Sequence, residues 1–274
     1  MTNAAWSWTW DETLYAGSAP HYAVGRVPYS EAVAGAIRDE LGLDGTGRLL
    51  DVGCGPGPLT TLLAPLFASA VGVDADREMI ELARSRAPEI EWRCLRAEEL
   101  PAGLGRFRAI TFAQSFHWMD QAAVARTARD MLEPDGAWVH LGAMTHQGLP
   151  PTAPLPFPQP PWDEIGALVR DFLGPVRRAG RSTLPNGTRP GEEDVMRAAG
   201  WSGPVRLEVP QAAVTRTVGE VASAVYSLSG STPHLLGPRL PEFDADLRRI
   251  LHAAADDGRF AEEMGPVEVV VWRL

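Results

Sequence analysis

The 274-residue sequence predicts an α/β fold: a mostly parallel sheet with helices on both faces, its last strand antiparallel, and helical cap insertions added late in the chain. Three observations predict it. Short apolar runs alternate with segments of helical period up to about residue 145, as repeated βαβ units do. The first apolar run, Leu49–Val52, enters a glycine cluster, Gly53-Cys54-Gly55-Pro56-Gly57. The alternation then lapses, leaving two late strand-like runs, the second of them at the C-terminal end of the sequence.

The elements follow in order. Val33, Ile37 and Leu41 space a helix over 30–41. After the Leu49–Val52 strand comes a helix pattern from Leu59 to Phe67, then a buried strand ending at Asp74. A helix over Arg77–Ala87 is stopped by Pro88, and IEWRCL gives a third strand. Arg108–Ala113 is a fourth strand, Gln121–Leu132 a helix, Pro134-Asp135-Gly136 a turn, and Ala137–Ala143 a fifth strand. From Pro150 to Pro161 seven of twelve residues are proline, which excludes regular helix or sheet and predicts a stiff extended loop. Helices are expected at Asp163–Leu173, 191–200, 218–228 and 241–255, and strands at Val205–Val209 and over the closing VEVVVWRL. The chain divides into an N-terminal lid and helix (1–45), a ligand-binding core (46–145), a Pro-rich and helical cap (146–200), and a segment (201–274) that holds the last two strands around a second helical cap (211–262).

Composition narrows the chemistry. All 25 basic residues are arginine, so Schiff-base lysine, phosphate-loop lysine and Ser-Lys chemistries are excluded. A net charge of −10 with scattered arginines argues against a nucleic-acid partner, whose phosphates require a basic face. The two cysteines, Cys54 and Cys94, make no disulfide framework and favour a reducing compartment. The first residues lack the pattern of a signal peptide, and no apolar run approaches the ~18–20 residues that span a bilayer. The expectation is a cytoplasmic protein without a membrane partner. The six histidines are dispersed and no Cys/His cluster occurs, so no metal site is expected. The oligomeric state is not legible.

The glycine loop sits where open α/β sheets bind ligands, at the carboxyl end of a strand. Its alternative reading is a tight turn. Position 58, where a dinucleotide fingerprint would carry its third glycine, is Pro58, which also removes a backbone N–H that a pyrophosphate would use. The loop therefore suits a ligand without phosphate. Asp74, at the end of the next strand, reads either as a carboxylate for a ribose diol or as the cap of the helix at Arg77, a task Asp76 can do equally well.

These motifs resemble the class I S-adenosylmethionine-dependent methyltransferases, with their Rossmann-like sheet. Four further segments, SAPHYAVGRVPYS (18–30), RAEELP (96–101), FAQSFHWMD (112–120) and LEPDGAW (132–138), resemble the type 11, trans-aconitate-methyltransferase-like branch that acts on small molecules. The resemblance implies S-adenosylmethionine as cofactor. It places Gly53, Gly55 and Gly57 against the cofactor's amino-acid and ribose parts, with Cys54 also among the cofactor-binding residues, Asp51 on its ammonium directly or through water, and Asp74 on its ribose. Ala75 and Met79 would flank the adenine, with Ala97 and Glu98 at its amino group. Gln114 and Ser115 would lie near the reacting methyl, and Arg26 would pair with the carboxylate, Tyr22 belonging to the same segment. Where the family has Arg followed directly by Pro, Val27 intervenes here before Pro28.

Methyl transfer from a sulfonium requires alignment and exclusion of water, and a base only where the nucleophile must lose a proton. His117 is the candidate catalytic base, between apolar Phe116 and Trp118; the alternative is a packing histidine. His21, His146 and His234 are weaker rivals. Trp6, Trp8 and Trp10 read as a packed strand or lid, or as ligand contacts. Ser227, Ser229, Ser231 and Thr232 read as a substrate-binding cluster or as a helix-terminating loop. The function expected is methyl transfer to O or N of a small molecule, with secondary metabolism as a setting. The alternative is cofactor binding without methyl transfer.

Overall fold

Five parallel strands occupy the first half of the chain in the computed structural model, which describes residues 10–179, 182–183 and 191–274. They are β1 (Arg48–Val52), β2 (Ser69–Asp74), β3 (Glu91–Cys94), β4 (Phe107–Ala113) and β5 (Leu132–Gly142). Two short antiparallel pairs, β6 (Arg178–Ala179) with β7 (Ser182–Thr183) and β9 (Val214–Thr217) with β10 (Arg259–Glu262), stand outside the main sheet. β8 (Ser202–Val209) and β11 (Val267–Arg273) complete it in the order β3-β2-β1-β4-β5-β11-β8, with β11 antiparallel to both neighbours. The C-terminal strand is thus inserted between β5 and β8, the antiparallel strand the sequence predicts.

Alternation along the strands fills both faces. Leu49 of β1 packs on the side of α2 (Glu31–Leu41) and α3 (Pro58–Leu63), with Ile37 and Leu63; Leu50 packs on the other side with Phe112, Trp138 and Val124 of α5 (Gln121–Asp130). Such two-sided burial is why these strands read as continuous apolar runs. α4 (Arg77–Arg86) begins at Asp76, whose side chain accepts the N–H groups of Glu78 and Met79, and α2 ends at Gly42 in the left-handed conformation.

Several boundaries differ from the sequence reading. The helix expected over Leu59–Phe67 stops at Leu63 and tightens into a 3-10 turn at Ala64–Leu66, because Pro65 has no N–H to donate. The turn expected at Pro134-Asp135-Gly136 lies inside β5 as a bulge: Phe107 pairs with Leu132 and Ala109 already with Ala137. The sequence reading missed α1 (Ala19–Gly25), a seven-residue helix, and the antiparallel β9/β10 pair.

The late helices build a second core. α6 (Trp162–Leu173), α8 (Val218–Tyr226), α9 (Pro233–Leu236) and α10 (Leu240–Ala254) bury Ile165, Val221, Leu236, Phe243, Leu247 and Phe260 together. α7 (Glu192–Ala198), although it falls within 146–200, packs on the main sheet through Met196. Residues 150–161 form neither helix nor strand, and Arg259 stacks on Phe157 of this run at 4.3 Å.

A buried ion pair joins β9 to β10. Arg216 donates to Glu262 at 2.9 Å, with the two side chains 4% and 0% exposed. Arg216 also donates to the carbonyls of Gly25, His146 and Glu220, and Glu262 accepts from Gly148 N and Trp162 Nε1. α1 in turn lies directly on α8: a Cβ on Gly25 would stand 2.2 Å from the Ala224 nitrogen. Among the described residues no helix is long and apolar enough to cross a membrane.

Candidate active site

The carboxyl ends of β1, β2 and β4, with the segment after β3, open on a groove. Its floor is the glycine loop. Gly53 and Cys54 both donate to the Val73 carbonyl, and Gly53, Gly55 and Gly57 all have positive φ (+69°, +55° and +81°), the region that favours glycine. A Cβ on Gly53 would lie 2.4 Å from the Ser115 Cβ, whereas one on Gly55 would meet nothing within 4 Å, so at Gly55 the backbone is bare to the groove.

Asp74 lines the groove. One carboxylate oxygen accepts the Gly55 N–H and the other the Asp76 N–H, each at 2.8 Å. Helix capping falls to Asp76, which settles that alternative. Burial pushes the Asp74 carboxyl up to about 6. Ala75, Met79, Ala97 and Glu98 line the same wall; Glu98 accepts the Asp120 N–H at 2.9 Å. Gln114 and Ser115 line the floor beyond β4. Gln114 has φ +53°, an uncommon conformation for a residue with a side chain, and is held there by a bond from its amide nitrogen to the Ala143 carbonyl. The Ser115 hydroxyl donates to Val52 O at 2.7 Å.

The outer wall is aromatic. Tyr22 of α1 lines the groove with Trp10, Tyr15 and Trp118, and Tyr15 meets Tyr22 and Trp118 edge-on at 6.4 and 6.5 Å. Burial pushes the Tyr15 phenol up to about 12, so it stays protonated. Tyr15 carries no motif in the sequence; only the edge contacts reveal it. Trp6 and Trp8 lie outside the described residues.

The remaining predicted site residues sit elsewhere. Arg26, Cys54 and Gly57 line a second cleft, which meets the groove at Tyr22, Gly53 and Ala113. Arg26 stacks on Tyr22 at 4.7 Å and donates to the Ser227 hydroxyl (2.8 Å), the Ser227 carbonyl (3.1 Å) and the Thr145 hydroxyl (3.2 Å). Asp51 is fully buried; its two oxygens accept the hydroxyls of Thr60 (2.6 Å) and Thr111 (2.8 Å), and burial raises its pKa to about 6.

His117 lines neither cavity. It sits on a 3-10 turn, Phe116–Trp118, 4.9 Å from the Trp118 ring, and burial, with His140 and Arg177 nearby, lowers its pKa to about 4. Phe116, expected to wall the site, is instead fully buried between Phe112 and Trp138. His146 is lowered to about 3, first by burial and then by Arg26, Arg216 and Arg177. Ser227 and Ser231 donate to the Ala224 and Val225 carbonyls, which terminates α8 and turns Ser227 toward Arg26. Among the described residues no group of three or more His, Cys, Asp or Glu side chains is placed to hold a metal ion.

Residues 49–136 match the model of a family described as a methyltransferase domain. An uncharacterized methyltransferase of Mycobacterium tuberculosis (strain ATCC 25618 / H37Rv) is 35% identical over 89 residues, 32% of this chain and 37% of that protein. A trans-aconitate 2-methyltransferase of Azoarcus sp. (strain BH72) is 35% identical over 89 residues, 31% of either chain. The match thus spans about a third of the length of these relatives. The solved structure of the [4+2]-cyclase SpnF resembles the chain in fold, with a TM-score of 0.50 at 18% identity over 91% of this chain and 83% of that one. Over residues 49–136, which build the first four strands and part of the fifth, the chain is thus similar to methyltransferase domains.

Proposed function

We propose that this protein transfers a methyl group from S-adenosylmethionine to an oxygen or nitrogen atom of a small molecule. The observation that carries the reading is the groove with Asp74 on its wall and the bare Gly55 backbone on its floor.

The groove's donor set fits the cofactor. A carboxylate offers about four acceptor positions, and Asp74 uses two on backbone N–H groups, so two remain for a ribose diol. Met79 and Ala75 give the adenine an apolar bed beside Glu98. Arg26 spends three donors on Ser227 and Thr145, which fixes its plane and leaves the rest of its fork for a carboxylate. Asp51, behind the glycine loop with both oxygens occupied, acts on the ammonium through water or through its charge rather than by direct contact. Cys54 and Gly57 shape the loop from the second cleft.

When bound, the cofactor supplies a methyl group on a positively charged sulfur, already activated for in-line displacement. The chain's own residues have to align the acceptor and exclude water. Tyr15, Tyr22 and Trp118 close the outer wall. His117, neutral and off the groove, acts as a base only toward a proton that reaches it through the acceptor.

The alternative is cofactor binding without methyl transfer. The same fold is found in a [4+2]-cyclase, so fold alone does not specify methyl transfer. Incubation with S-adenosylmethionine carrying a labelled methyl group and a small-molecule extract separates the readings. Label in a small-molecule product supports transfer; tight cofactor binding with no labelled product supports the alternative.

A further inference from the structure

Between α6, the end of α8 and the loop 174–178 lies a separate cavity. Its floor is apolar, with Trp162, Ile165, Val169, Val225 and Leu228. The charged residues lining it are Arg170, Arg177 and Arg178, with no Asp or Glu among them, in a chain that carries 35 acidic residues against 25 basic. Glu262, which accepts Trp162 Nε1, is already paired with Arg216. Among the described residues none of the three rim arginines forms an ion pair, whereas Arg197, Arg206, Arg248 and Arg259 all do.

Arg177 is held in place. A Cβ on Gly230 would touch its Cγ at 3.4 Å, and its Nη2 donates to the Ser229 hydroxyl at 3.3 Å. The segment after α8 joins this cavity to the second cleft: Ser229 holds Arg177, and Ser227 holds Arg26 of the cleft, which in turn meets the methyl-donor groove. His146, next in sequence to Thr145 of that cleft, lines the cavity.

We infer that this cavity is the acceptor site, and that it selects a small molecule with an apolar body and one anionic group, the anion held by Arg177 with Arg178 and Arg170. An unpaired guanidinium at the rim offers a planar fork suited to a carboxylate or phosphate oxygen pair. The apolar floor gives the body of the ligand a surface to bury. The inference rests on the methyl-transfer reading above and names the acceptor class for that same site.

The test measures binding rather than turnover. The full-length protein is first saturated with S-adenosylhomocysteine, whose own titration reports on the cofactor groove separately. It is then titrated calorimetrically with 3-phenylpropanoate, with the neutral 3-phenylpropanamide and with inorganic phosphate. The carboxylate is expected to bind at least tenfold tighter than the amide, and tighter than phosphate. Arg177→Gln combined with Arg178→Gln is expected to erase the preference for the carboxylate while leaving the Kd of S-adenosylhomocysteine within twofold of wild type. Equal binding of acid and amide, no binding of either, or a preference that survives the double substitution overturns the inference. So does phosphate binding as tightly as the carboxylate, since the floor would then add nothing. If S-adenosylhomocysteine itself does not bind, the methyl-transfer reading fails instead.

Discussion

Asp74 accepts the N–H of Gly55 at 2.8 Å, which ties the glycine loop after β1 to the end of β2. The bond spans the crevice between two adjacent strands and holds the bare backbone of Gly55 and the carboxylate on one groove. In Asp74→Asn one side-chain oxygen is replaced by an NH₂ that faces a backbone N–H. Losing a charged hydrogen-bond partner costs about 1.5–3 kcal/mol, so S-adenosylhomocysteine should bind about tenfold or more weakly in calorimetry. An unchanged Kd would remove Asp74 from the site.

Gly25 has no room for a methyl group, because its Cβ would stand 2.2 Å from the Ala224 backbone. Gly25→Ala must push α1 off α8. Overpacking of this kind costs about 1–3 kcal/mol, and here it moves the helix bearing Tyr22, with Arg26 as its C-terminal cap. Urea unfolding should show the loss of stability, and cofactor affinity should fall with it. Full stability in Gly25→Ala would mean that the two helices are not clamped.

The Arg216–Glu262 pair predicts an asymmetric outcome. Arg216→Met leaves the carboxylate of Glu262 buried without its partner, a loss of about 3–5 kcal/mol for such pairs, whereas replacing both partners by apolar residues is often near neutral. Arg216→Met should therefore unfold at much lower denaturant than wild type, and adding Glu262→Met should recover most of the difference. Equal destabilisation in the single and double variants would contradict the assigned pairing.

The buried carboxyl of Asp51 gives a pH signature. Its folded pKa, about 6, lies above the ordinary value of 3.8 because burial disfavours the charge. Between those values the folded chain keeps a proton that the unfolded chain has released, so the contribution of Asp51 to stability falls as pH rises through that window. Asn at this position carries no such penalty. The Tm of Asp51→Asn relative to wild type should therefore rise between pH 4.5 and pH 7; a constant difference would contradict the shift.

His117 is lowered to about 4 and is neutral throughout the neutral range. The ratio of turnover between His117→Gln and wild type should stay constant from pH 6 to pH 8. A ratio that titrates near 6.5 would show an ordinary, exposed imidazole at work.

Much of this architecture was legible in the residues. The two-sided burial of β1, β2, β4 and β5 leaves unbroken apolar runs, and the glycine loop and Asp74 are written as local motifs. What escaped the reading depends on distant packing. α1 is a short helix of weak period, held by Gly25 against α8, about 200 residues away in sequence. Tyr15 carries no motif, and its place on the groove wall follows from its contacts with Tyr22 and Trp118. Phe116 and Trp118 look alike in sequence, yet the 3-10 turn sends one into the core beside Trp138 and the other to the groove. The rim of Arg170, Arg177 and Arg178 emerges only once the cap folds over α8.

The central claim is that the groove at the ends of β1, β2 and β4 holds the adenosyl cofactor. Calorimetric titration of wild type and Asp74→Ala with S-adenosylhomocysteine tests it most directly. The account predicts one-to-one binding by wild type, weakened at least tenfold in Asp74→Ala while the variant remains folded. Equal affinity in the two proteins, or no binding by folded wild type, would contradict it.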